Sequence, residues 1–314
     1  MLRAGRLRLT RPVLFRHLPA PFTRIAHGVP FTTTTSQPLY WTAFGPPSAP
    51  PILVLHGGPG AHHDYLLPGM LALADDHRLL FYDQRGGGRS RTDDRAPVTI
   101  DVLVEDLDRI IHELPSQPLV LLGYSFGGLL ALRYAIEAFE GRNRVRPGKL
   151  ILIDPAPVSR QFRAAFEAEF TRRQVSEPIA GMREELAAST LRERDPEAFR
   201  RRQFELSVAG YFADPERARD LTPFRVIGRI QQSVWESLGD YDLSQRLGVI
   251  NCPTIILHGR EDPIPLASSE AIAANIPGAR LIVIDDAGHV PYVERPDALF
   301  PPIRAFLHEK DRSS

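Results

Sequence analysis

Leu119-Val120-Leu121-Leu122-Gly123-Tyr124-Ser125-Phe126-Gly127-Gly128 is a short apolar run that ends in G-x-S-x-G and passes directly into a second apolar segment reaching Phe139. A continuous apolar run of this length reads as a parallel strand buried on both faces. The longer segment after it reads as a helix. Strand, sharp turn and helix form the context in which a G-x-S-x-G serine sits on a strained bend with its hydroxyl exposed. Gly123 and Gly127 are required because a Cβ at either position would collide with the neighbouring strand and helix. The helix N-terminus favours negative charge developing beside Ser125.

Similar units lie on either side. Leu39–Phe44 alternates like an exposed edge strand. Runs at 51–56, 78–83 and 149–154 read as buried strands, and Val102, Leu103, Leu107, Ile110, Ile111 and Leu114 have helical spacing. This alternation predicts a mostly parallel sheet with helices on both faces. Between about Pro157 and Asp242 strand-like runs cease. Phe162, Phe166 and Phe170 recur every four residues, as a helical stripe read as core packing. Asp195-Pro196, Asp214-Pro215 and Thr222-Pro223 each read as a capped helix start. Strands resume at 253–258 and 280–285.

A serine hydroxyl needs a base, and the base needs an orienting acid. For a nucleophile on this kind of turn the chain order is Ser, then Asp or Glu, then His. His258-Gly-Arg-Glu-Asp262 follows the penultimate strand and Asp285-Asp-Ala-Gly-His289 follows the last. Both lie at strand C-termini, the edge where open parallel sheets bind ligands. The reading is therefore Ser125 as nucleophile, His289 as base and Asp262 as acid, with Glu261 and Asp154 as other candidates for the carboxylate. A neutral base implies kcat/KM rising through one pKa near neutrality. His56-Gly-Gly-Pro-Gly60 follows the first buried strand. An oxyanion needs two preplaced N–H donors. These are assigned to Phe126 and to Gly58, with Gly57 as the alternative, and His56 braces the loop.

His56-Gly-Gly-Pro-Gly60, then Asp83-Gln-Arg-Gly-Gly-Gly-Arg-Ser90, then G-x-S-x-G resembles the prolyl aminopeptidase (proline iminopeptidase) family of α/β-hydrolases. The shared order covers about residues 28–157 and 245–310. The resemblance implies the α/β-hydrolase fold, with a helical cap inserted after the sixth strand. It also implies cofactor-free release of an N-terminal residue, typically proline, from peptides in the cytosol. It further implies that the cap supplies carboxylates to hold the free amino group, and Glu205 is the candidate. Tyr124 and Phe126 flank the serine, whereas prolyl aminopeptidases often have tryptophan after it. The alternatives are a carboxylesterase, lactonase or carbon–carbon-bond hydrolase, or a hydrolase-derived binding protein that keeps the pocket.

The expected organisation is a basic extension (1–27), a first core part (28–157), a helical cap (158–244) and a second core part (245–314). Acidic and basic residues balance at 38 each. No global charge points to nucleic acid or a membrane surface as a partner, and no run is long enough to span a bilayer. The expected partner is a small-molecule or short-peptide substrate. A single cysteine, Cys252, allows no internal disulfide. No nucleotide loop or metal-ligand spacing is present, so no metal or other cofactor is expected. The first 63 residues hold no acidic residue, and Arg3, Arg6, Arg8, Arg11, Arg16 and Arg24 lie near the start. That composition allows an organelle transit peptide or a disordered tail on a cytoplasmic protein.

Overall fold

The computed structural model describes residues 30–92, 95–114 and 117–309. The basic extension expected at 1–27 lies outside them. Seven strands form one sheet: β1 (Trp41–Phe44), β2 (Pro51–Leu55), β3 (Arg78–Tyr82), β4 (Val120–Tyr124), β5 (Lys149–Ile153), β6 (Thr254–Gly259) and β7 (Arg280–Ile284). Their spatial order is β1-β3-β2-β4-β5-β6-β7. Only β1 runs antiparallel to its neighbour. β2, β4 and β5 are buried along their whole length, which is why they read as continuous apolar runs. Alternate residues enter two separate cores. Leu53, Leu55, Leu121 and Leu152 pack on one face under helices α1 (Ile100–Glu113) and α2 (Phe126–Phe139). Ile52, Val54, Leu122 and Ile153 pack on the other, against Leu299, Phe300, Ile303 and Phe306 near the C-terminus.

Between β5 and β6 the chain is helical: α3 (Arg160–Gln174), α4 (Glu177–Ala188), α5 (Pro196–Val208) and α6 (Gly228–Leu238), with short helical turns between them. Two further helices, α7 (Leu266–Asn275) and α8 (Pro296–His308), follow β6 and β7. Among the described residues the insertion thus follows the fifth strand, where the sixth was expected. Among the described residues no strand precedes β1, and the chain at Phe31 makes only a single antiparallel bridge with Tyr40. Beyond it the Thr33 and Thr34 N–H groups turn away to the Glu113 carboxylate at 2.7 and 2.9 Å.

Two of the three expected helix starts carry the capping bond. Asp195 accepts from Ala198 N–H at 3.0 Å and Asp214 from Glu216 N–H at 3.0 Å. Thr222-Pro223 does not start a helix. Residues 222–227 form a strap without helical structure, and α6 begins only at Gly228. The strap is tied to the loop after β2 by Ile227 N–H donating to Gly60 O at 3.0 Å. No described helix is long and apolar enough to cross a membrane.

Candidate active site

Ser125 stands between β4 and α2 with φ 53° and ψ −121°. A non-glycine residue there carries about 1–3 kcal/mol of backbone strain, and its surroundings hold it in place. Its N–H donates to Ile153 O at 3.0 Å, and its carbonyl accepts from Gly128 and Ala156, both at 2.8 Å. The turn is close-packed as well as bent. A Cβ on Gly127 would lie 2.1 Å from Leu55 O, and one on Gly123 would lie 2.5 Å from Gly127 O.

The structure brings the three predicted side chains together from the ends of β4, β6 and β7. His289 Nε2 lies 2.9 Å from Ser125 Oγ, and Nδ1 lies 2.8 Å from Asp262 Oδ2. The other Asp262 oxygen accepts from Ile264 N–H at 2.8 Å. Nδ1–H therefore donates to Asp262, and Nε2 is free to accept the serine proton. Burial pushes His289 down to about 4, which favours the neutral imidazole that a base requires. Burial also raises Asp262, against the hydrogen bonds it accepts. Asp154, the other strand-end candidate, is fully buried one layer behind. Its Oδ1 accepts from Gly259 N–H at 2.8 Å, and it makes no hydrogen bond to His289. Burial first, and then the neighbouring Asp262, raise its pKa well above the ordinary carboxylate range. Glu261 points elsewhere and accepts from Ala287 N–H.

The loop after β2 supplies the backbone donors. Gly57 N–H is already committed to the Tyr65 hydroxyl at 2.8 Å. Among the described residues the Gly58 and Phe126 N–H groups have no protein acceptor. Of the two glycines, Gly58 is therefore the one left to hold an oxyanion with Phe126. His56 braces this loop. Its Nδ1–H donates to Gly57 O at 2.9 Å, and its Nε2 accepts from Gln84 N–H at 3.0 Å. The Gln84 amide returns a bond to His56 O at 2.8 Å. Gln84 of the Asp83–Ser90 motif thus ties that motif to the loop. Asp83, held low by His63 against its own burial, accepts from His63 Nδ1 at 2.6 Å and from Arg89 N–H at 2.8 Å.

Two cavities meet at Ser125, and both are also lined by Gly58, Tyr211, Gln231 and His289. The larger, about 810 Å³, has Arg160, Arg163, Glu167, Trp235 and Glu236 in its wall beside apolar residues such as Phe126 and Phe166. The smaller, about 350 Å³, is walled by Tyr65, Tyr124, Phe170, Phe204, Phe224 and Tyr292. Tyr65 stacks on Phe224 with centroids 4.4 Å apart.

Residues 50–296 match the alpha/beta hydrolase fold family. The chain belongs to that family. This hydrolase is 27% identical over 274 residues to the proline iminopeptidase of Saccharolobus solfataricus, covering 82% of this chain and 84% of that protein. Among solved structures, a proline iminopeptidase-related protein from Thermus thermophilus superposes with a TM-score of 0.67 at 23% identity, over 88% of this chain and 95% of the other. An enol-lactonase from Burkholderia xenovorans superposes at 0.63 and 22%, over 89% and 100%.

Glu205 is not brought to the site. It is buried on α5, its two oxygens held by Arg201 at 2.9 Å and Arg202 at 3.0 Å, and it lines neither cavity of this hydrolase. Arginines four and three residues before a glutamate pair with it along a helix, and that signal is present in the sequence. The Phe stripe also differs from expectation. Phe166 and Phe170 are only half-buried, pack on Tyr211 and wall the larger and smaller cavities respectively. Tyr211, Gln231 and Glu236 are cavity residues that no local pattern distinguishes. Among the described residues one cluster has metal-type ligands, Asp154, His258 and Asp262. His258 is engaged by Ile264 O at 3.1 Å and Ser269 Oγ at 2.9 Å. Both Asp262 oxygens accept N–H groups as well.

Proposed function

We propose that this protein is a serine hydrolase that forms an acyl-enzyme on Ser125 and releases an N-terminal residue, proline preferred, from peptides. The observation that carries the chemistry is the unbroken hydrogen-bond chain Ser125–His289–Asp262 at the junction of two cavities. Ser125 Oγ attacks the carbonyl carbon while its proton passes to His289 Nε2. The oxyanion is held by the Gly58 and Phe126 N–H groups. The imidazolium, stabilised by Asp262, then protonates the leaving amine, and water repeats the sequence to free the acid. The similarity to proline iminopeptidases supports the peptidase assignment. Its ammonium group needs a carboxylate. Glu205 is occupied and Glu167 pairs with Arg163 at 2.8 Å. Among the described residues the Glu236 carboxylate accepts only from the Gln232 amide, which makes it the available partner in the larger cavity.

A second reading rests on the smaller cavity. Among the described residues no Asp, Glu, Lys or Arg lines it, and at about 350 Å³ it exceeds the roughly 150 Å³ that suffices for benzene. Such a space favours a bulky uncharged group, as in an ester, lactone or carbon–carbon-bond substrate. The test compares proline arylamide, its N-acetyl derivative and neutral aryl esters on wild type, with Ser125→Ala as control. Cleavage of the free amine alone supports the aminopeptidase. Equal cleavage of free and blocked substrates moves the assignment to the second reading. Failure of a phosphonate to label Ser125 removes both and leaves a binding protein.

A further inference from the structure

We propose that Glu294 is a positioning residue that holds the His289 base by joining its loop to the helical insertion. Glu294 ends the helical turn Pro291–Glu294, just beyond His289, and is buried. Its Oε2 accepts from Gly288 N–H and its Oε1 from Ala213 N–H, both at 2.8 Å. Gly288 immediately precedes His289. Ala213 belongs to the insertion, two residues after Tyr211. One carboxylate therefore bridges two backbone segments that belong to different parts of the fold.

The bridge acts on His289 at short range. His289 N–H donates to Tyr211 O at 2.7 Å, and the Tyr211 ring lies 5.1 Å from the imidazole. On the core side, the Tyr124 hydroxyl donates to His289 O at 2.8 Å. The segments touch at backbone level, since a Cβ on Gly288 would lie 2.2 Å from Tyr211 O and 2.8 Å from Ala213 N. Arg217, also from the insertion, closes the outer side by donating to Val293 O at 2.8 Å. Burial raises Glu294 to about 7, opposed by the N–H groups it accepts from. Among side chains of this length only a carboxylate presents an acceptor oxygen at both ends, one to each donor. A glutamine in its place would set its NH₂ against one of the N–H groups. The insertion is thus part of the apparatus that aims the base as well as a wall of the cavities.

His289 must face Asp262 and Ser125 simultaneously, and a displacement of about 1 Å in such a group costs on the order of 100-fold in rate. The inference rests on His289 acting as base, which phosphonate labelling of the wild type tests separately from substrate choice. The experiment measures kcat, KM, labelling rate and the downfield Nδ1–H proton resonance of His289 in Glu294→Gln and Glu294→Ala. Glu294→Gln is expected to lower kcat and the labelling rate by about 10- to 100-fold. KM should hold within about threefold, the proton resonance should shift or broaden, and Glu294→Ala should fall at least as far. If Glu294→Gln does not accumulate as folded protein, Glu294→Asp carries the test. It keeps the charge but is one methylene too short to reach both donors, so kcat should fall while KM holds. A folded Glu294→Gln with kcat within twofold of wild type and an unshifted His289 resonance overturns the proposal. So does a loss confined to KM.

Discussion

Replacing Asp262 with Asn separates the orienting acid from mere packing. Asp262 accepts two hydrogen bonds, from His289 Nδ1–H at 2.8 Å and from Ile264 N–H at 2.8 Å. An amide has one acceptor oxygen. If that oxygen faces Ile264, the NH₂ faces His289 Nδ1, which must give up its proton and become the acceptor. The imidazole proton then sits on Nε2, which donates to Ser125 Oγ and cannot act as base. If the amide flips, NH₂ opposes the Ile264 N–H in a buried site, at about 1–3 kcal/mol. Loss of base and tautomer is expected to lower kcat about 10⁴-fold, or about 5 kcal/mol. KM should stay within a few-fold because Asp262 lines neither cavity. Asp154→Asn is the contrast. Burial and the neighbouring Asp262 favour the neutral form of Asp154, and an amide oxygen can keep the bond from Gly259 N–H, so kcat should stay within about tenfold. Steady-state turnover of an activated aryl ester by both variants, with active-site titration, measures the difference. Near-normal turnover in Asp262→Asn with collapse in Asp154→Asn would refute this reasoning.

Other consequences follow from the same geometry. The base must be neutral, and burial lowers His289 below the ordinary histidine range, to about 4. The kcat/KM profile should therefore stay high below pH 6.5 and fall only as acid protonates the His289–Asp262 pair, whose apparent value belongs to both groups. An acid limb centred at or above 6.5 contradicts the burial argument and restores the near-neutral value expected from sequence. Glu205→Gln should leave kcat/KM within about threefold while lowering stability by about 1–3 kcal/mol, because it weakens two charge-assisted bonds. Denaturant midpoints and turnover of one preparation test both halves. Gly127→Ala places a methyl 2.1 Å from Leu55 O and should cost about 3 kcal/mol or more, visible as loss of soluble protein or a lowered Tm. With Ser125 and His289 carrying the proton transfer as proposed, a chelator should leave turnover unchanged; inhibition reversed by added metal would count against that proposal.

The division between what sequence and structure each decided has a physical basis. Strands β2, β4 and β5 are buried on both faces, and that condition writes itself into the chain as unbroken apolar runs. The turn at Ser125 leaves no room for a Cβ at Gly123 or Gly127, so its glycines are visible as a motif. Asp262 and His289 follow strands whose C-termini lie at one sheet edge, so parallel topology alone brings them near Ser125. Local sequence thus determined the fold class, the three predicted side chains and the glycine loop that faces them. It did not decide the insertion's part, because helical periodicity says which residues share a face but not what that face meets. Phe166 and Phe170 read as core and wall the cavities. Glu205 read as a ligand and is tied to Arg201 and Arg202. Glu294 carries no local signal; folding places Gly288 and Ala213, from segments some 75 residues apart, against its two oxygens. Gly57 and Gly58 were separated only when Tyr65 took the first one's N–H. These assignments depend on contacts between distant segments, and only tertiary structure specifies them.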